Sequence, residues 1–82
     1  MITPEQSRAA RALLNWSQEK LAEVAHIGIV TVRQFELGNT TPRFLTLQAM
    51  RHVLEDAGVI FIDENGEGAG VRLRKKSKHS GG

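Results

Sequence analysis

Between Ser17 and Gly38 the chain carries two short helical runs with only His26-Ile27-Gly28 to part them. Ser17 has the side chain that accepts from free backbone N–H groups at a helix start, and Glu19 falls where the helix dipole favours an acid. The first run therefore extends from Ser17 through Ala25. The second starts at about Gly28 or Ile29 and reaches Leu37, where Gly38 stops it. Helices this short are marginal in water by themselves. Each needs a packing partner, and a three-residue break makes each the other's first neighbour.

The flanking segments supply the rest of a core. Thr3-Pro4-Glu5-Gln6 has a capping residue, a proline suited to the first helical position and a glutamine at capping-box spacing, which predicts a helix over Pro4 to Leu14. Asn15 suits the left-handed residue after it. A fourth helix is expected from about Phe44 or Leu45 to Ala57, with Leu47, Met50, Val53, Leu54 and Ala57 as its apolar stripe and Gly58 as its stop. The pattern then changes period: Val59-Ile60-Phe61-Ile62 and Val71-Arg72-Leu73-Arg74 read as two strands, joined through a Gly-rich stretch with Asn65-Gly66 as a turn signal.

At 82 residues the chain has room for one domain, and a chain of that size buries only about 60% of the surface it exposes when unfolded. A lone hairpin is marginal in water, so the strands need a helix face or another subunit's strands over them. A homodimer is expected, with Val59, Ile60, Phe61, Ile62, Val71 and Leu73 as its interface. Cysteine is absent, which removes disulfides and Cys-ligated zinc and points to a reducing compartment. No apolar run approaches a membrane span. A soluble cytoplasmic protein that makes no membrane contact is expected.

The net charge of +2 is the sum of two unlike parts. Residues 1–62 hold six basic and six acidic side chains, and residues 63–82 hold three acids followed by five bases: Arg72, Arg74, Lys75, Lys76 and Lys78. The basic end reads either as a solubilising disordered tail, over 75–82, or as a nucleic-acid contact.

Two short helices across such a turn have the dimensions of a helix-turn-helix. The segments Trp16-Ser17-Gln18-Glu19-Lys20-Leu21-Ala22, Thr31-Val32-Arg33-Gln34-Phe35-Glu36-Leu37-Gly38 and Thr41-Pro42 resemble the Cro/repressor-type (XRE-like) helix-turn-helix family of small bacterial and phage transcription regulators. The resemblance covers roughly residues 5–58. It implies a mostly α fold, a four- to five-helix lambda-repressor-like domain, here followed by a C-terminal β-hairpin. The chain divides accordingly into a DNA-binding domain over 1–58, a hairpin extension over 59–74 and the tail.

What the resemblance implies for single residues is specific. Arg11 and Glu36 match the family's structural ion pair, in which a bidentate guanidinium–carboxylate contact fixes the recognition helix against helix 1. Ser17 and Gln18, with Asn39, Thr40 and Arg43, match the positions that hold DNA phosphates. Ile29, Val30, Thr31, Arg33 and Gln34 match the base-facing positions of a recognition helix over about 29–37. In the major groove Arg33 would read guanine, Gln34 adenine, and Ile29 and Val30 thymine methyls. The family usually has Gly where this chain has His26, and a Ser or Thr cap where it has Gly28.

No other chemistry is visible. His26, His52 and His79 lack ligand spacing and an acidic partner set, Ser17 lacks a base, and Gly66-x-Gly68-x-Gly70 lies between strands instead of opening a helix. No metal, no cofactor and no enzymatic activity are expected. The function expected is a sequence-specific, dimeric regulator of transcription bound to double-stranded DNA. The alternative is a protein-interaction module on the same scaffold, antitoxin-like or anti-activator, which the apolar pair Ile29-Val30 and the neutral body would suit.

Overall fold

The computed structural model describes residues 1–75. Among them are four helices, α1 (Pro4–Leu14), α2 (Gln18–Ala25), α3 (Ile29–Glu36) and α4 (Phe44–Asp56), followed by two strands, β1 (Val59–Ile62) and β2 (Gly70–Leu73). The fold is thus mostly α with a C-terminal hairpin, and the helices among the described residues number four. Apart from Lys75, the tail expected over 75–82 lies outside the described residues. No helix among the described residues is long and apolar enough to cross a membrane.

Local chemistry accounts for most boundaries. Thr3 and Gln6 form a reciprocal capping box, Thr3 Oγ1 accepting from the Gln6 N–H at 3.0 Å and Gln6 Oε1 from the Thr3 N–H at 2.9 Å. Asn15 closes α1 in the left-handed conformation, with φ 61°. Helix α3 ends one residue earlier than the sequence suggested, with Leu37 as its cap, and α4 likewise ends at Asp56 with Ala57 as its cap. Ala57 is exposed and leaves the apolar stripe, in which Leu47, Met50 and Leu54 are buried and Val53 partly so. Gly58, at φ 116°, then makes a turn into β1 that a side chain would strain.

The strands pair antiparallel with Val59 opposite Leu73 and Ile62 opposite Gly70. Strand β2 sits one residue earlier than the alternation Val71 to Arg74 indicated; Arg74 lies beyond it, its N–H donating to the Gly58 carbonyl at 2.7 Å. The Asn65-Gly66 signal belongs to a longer connection organised by Glu64, whose carboxylate accepts from the Gly66 and Gly68 N–H groups at 3.0 Å each.

One core runs through all of these elements. Ala10, Leu21, Val32, Met50, Leu54 and Val59 are almost fully shielded, and Phe61 joins them. The hairpin is held on both sides. Gln6 of α1 donates from Nε2 to the carbonyls of Ile62 (3.1 Å) and Gly70 (3.0 Å). Arg51 of α4 stacks its guanidinium 5.1 Å from the Phe61 ring centre and reaches Asp63 at 3.6 Å. The cover that the strands require is therefore supplied by the chain's own helices. Val59 and Phe61, expected at a subunit interface, have their side chains in this core, because strand alternation points both inward.

Candidate nucleic-acid interface

Helices α2 and α3 meet through a turn that the local sequence strains to make. His26 adopts the left-handed conformation, φ 58° and ψ 45°, where the family pattern has Gly. Its N–H donates back to α2, and the Ile27 N–H reaches the Ala22 carbonyl at 3.0 Å. Gly28 is extended and caps α3 without a side-chain bond. Leu21, Ala22 and Ala25 of α2 and Val32 and Phe35 of α3 are buried in the common core, which fixes the pair as a unit.

Glu36 anchors the end of α3. Its side chain is 1% exposed, a costly place for a charge unless it is paired and hydrogen-bonded. Arg11 Nη2 donates to Oε1 at 2.7 Å and Arg11 Nε to Oε2 at 2.9 Å, a two-point contact. Ser7 Oγ donates to Oε2 at 2.5 Å and Gln18 Nε2 to Oε1 at 3.0 Å. Burial would push the Glu36 carboxyl up, but the hydrogen bonds from Arg11, Ser7 and Gln18, with the positive charge of Arg11, outweigh it and hold the pKa below the usual carboxylate range. Arg8 donates to the Glu36 carbonyl and Arg11 to that of Trp16. Helices α1, α2 and α3 thus converge on one carboxylate.

The residues matched to DNA contacts fall into distinct environments. Val30 is 61% exposed and Arg33 is exposed beside it on the helix, while Thr31 and Gln34 are half-buried. Ile29 differs from the outward placement expected of it: it packs against the core, because it lies three residues before the buried Val32 and shares its face. Arg33 and Glu19 approach to 3.5 Å. Gln34 Oε1 accepts from Asn39 Nδ2 at 2.9 Å, which ties the loop after α3 back to the helix.

Among the phosphate candidates, Ser17 caps α2 by accepting from the Lys20 N–H at 2.9 Å. Gln18 is half-buried with its amide nitrogen on Glu36. Asn39, Thr40 and Arg43 are exposed around the loop from α3 to α4, and Arg43 is the extended residue that precedes α4. Ser7 and the hydrogen bond from Gln18 to Glu36 had no signal in the sequence beyond the proximity of α1 and α3. Among the described residues no group of three or more His, Asp or Glu comes together as a metal site. An open groove of about 670 Å³ between the end of α2 and α4 is lined by Val24, His26, Leu45, His52 and Val53 among others, and His52 Nε2 lies 3.6 Å from Asp56 on the exposed side of α4, an acidic neighbour not expected from the sequence.

The model of a family described as Helix-turn-helix matches residues 8–55, more than half of the chain, including Arg11, Gln18 and Glu36. No curated protein matches the chain.

Proposed function

Because the chain belongs to the Cro/repressor-type helix-turn-helix family, whose members bind DNA, we propose that it is a sequence-specific regulator of transcription that inserts α3 into the major groove. The observation that carries this reading is the division of α3 into two faces. Val32, Phe35 and Glu36 are locked inward, while Val30 and Arg33 stand in solvent. A helix with one face immobilised and the other unpacked can present side chains at fixed positions along base edges.

In this reading Arg33 donates to guanine O6 and N7, Gln34 turns its amide to adenine, and Val30 and the Thr31 methyl contact thymine methyls. Ile29 supports the first turn of the helix from beneath. Ser17 and Gln18 bring the N-terminus of α2 to a phosphate, and Asn39, Thr40 and Arg43 hold another. The neutral body makes these few contacts carry much of the affinity, with Arg72, Arg74 and Lys75 adding attraction from the hairpin end.

Residues 1–58 act as the DNA-binding part and the hairpin as the dimerisation element. Since Val59 and Phe61 are committed to the core and Val71, paired with Phe61, packs against it, association proceeds through the backbone edges of the strands and through Ile60 and Ile62 on the outward face, with the exposed Leu73 at its margin. A symmetric dimer reads two half-sites about 34–36 Å apart.

The test begins with selection of bound duplexes from a random pool, followed by titration of the selected duplex and a random-sequence duplex at several salt concentrations. Tighter binding of the selected duplex, abolished by Arg33→Ala with Gln34→Ala in a folded protein, is expected. Equal affinity for both duplexes would refute sequence specificity.

A further inference from the structure

We infer that Glu19 is a specificity-determining residue, acting through Arg33: it withholds the guanidinium from DNA phosphates and presents it to a guanine. The inference rests on the reading of α3 as the base-reading helix. Glu19 lies in the first turn of α2 and Arg33 near the middle of α3, so their contact of 3.5 Å spans the two helices of the motif. Both side chains are open to solvent, 69% exposed for Glu19 and 50% for Arg33.

A carboxylate is out of place here if affinity alone matters. Ser17 and Gln18, the two residues before it, are those assigned to a phosphate, and a negative charge beside them opposes a polyanion. Glutamine in its place would remove the repulsion while giving up only the small favourable interaction of an exposed acid with the helix dipole. What the carboxylate adds is competition for Arg33. An unrestrained arginine samples many rotamers and pairs with whichever phosphate is near, whatever the base sequence. With Glu19 in place, moving to a phosphate only exchanges one anion for another.

A guanine offers something different. The contact with Glu19 engages Nη2, and the guanidinium has five N–H donors, so other N–H groups of the same fork remain to donate to O6 and N7. Arg33 therefore reads guanine from a held position, and Glu19 lowers sequence-independent binding more than specific binding. Its effect appears in the ratio of the two affinities.

The experiment is a double-mutant cycle on the full chain with the selected duplex and a random-sequence duplex as probes. Glu19→Gln is expected to raise affinity for the random duplex several-fold, to steepen its log–log salt slope by about 0.9, the value of one added phosphate contact, and to narrow the ratio between duplexes. In an Arg33→Ala background Glu19→Gln should leave that ratio unchanged. Glu23→Gln removes another exposed acid of α2 and is expected to alter both affinities alike. An equal rise for both duplexes on Glu19→Gln, or an unchanged effect on the ratio without Arg33, overturns the inference while leaving DNA recognition standing. A wild-type chain that binds neither duplex overturns both.

Discussion

Gln18 Nε2 donates to Glu36 Oε1 at 3.0 Å, which joins a side chain at the open start of α2 to a carboxylate buried at the far end of α3. A residue proposed to meet a phosphate is thereby held by the same group that fixes α3. Gln18→Ala removes one of the carboxylate's donors and should cost about 1 kcal/mol in a urea titration, the usual net value of a hydrogen bond. In the DNA reading it also weakens binding to selected and random duplexes by similar factors, since a phosphate contact carries no sequence information.

Glu36 governs stability more strongly. Glu36→Ala leaves Arg11, whose side chain is 17% exposed, without its counter-charge, and loss of one partner from a buried pair costs about 3–5 kcal/mol. The lowered Glu36 pKa fixes the direction of the pH dependence. In the folded chain the carboxyl holds its proton less tightly than in the unfolded chain, so its contribution is complete above the usual value of about 4.5 and is lost as pH falls through the folded-state pKa. Urea midpoints taken from about pH 7 to about pH 3 should fall in this acid range, and Glu36→Gln, less stable at neutral pH, should show a shallower fall.

Ile29 and Val30 are adjacent in sequence and opposite in environment. Ile29→Asp places a charge against the core and should lower stability by about 2 kcal/mol or more. Val30→Asp, at a position 61% exposed, should leave the unfolding midpoint within about 0.5 kcal/mol of wild type. Only the second variant is suitable for testing recognition, where it should abolish binding to the selected duplex.

The dimer is testable without deleting the hairpin. Truncation at Gly58 would remove Val59 and Phe61 from the core and confuse unfolding with dissociation. Ile60 and Ile62 alternate with the buried Val59 and Phe61 and share the face turned away from the core, so Ile60→Lys with Ile62→Lys changes the outer surface alone. Sedimentation velocity should show a dimer for the wild type and a shift to monomer for the double variant. A dimer that persists would place the interface elsewhere.

His26 holds a left-handed backbone, φ 58°, at an exposed position. His26→Gly should stabilise the chain by up to about 1 kcal/mol, because the strain relieved exceeds the added freedom of the unfolded chain. His26→Val should destabilise it by a similar or larger amount, as β-branched residues tolerate that conformation least. Thermal midpoints of the two variants provide the check.

The elements themselves were legible because their ends carry local signals. Thr3, Asn15, Ser17 and Gly58 act through their own backbone or the next turn, so no knowledge of distant residues is needed. The family match likewise rests on contiguous segments. Periodicity was a coarser guide: it put Ala57 in the stripe of α4, since a face is read modulo a turn while burial depends on which neighbour covers it, and the resemblance put Ile29 among the base-facing residues although it packs against the core. The polar interior was the least legible. Gln6, Ser7 and Glu36 are buried, and nothing in the spacing of a serine or glutamine tells whether its partner is water or a carboxylate from another helix.

The two bonds from Gln6 to the Ile62 and Gly70 carbonyls have a dynamic consequence. The first turn of a helix ordinarily frays, and its first amides exchange with solvent through local opening. Here the cap of that helix doubles as a clasp on the strands, so the first turn cannot unwind without breaking its two bonds to them. The amides of Gln6 and Ser7, which donate to Thr3, should therefore exchange with deuterium only as fast as Gln6 lets go of the hairpin, making the first turn of α1 a reporter on that contact.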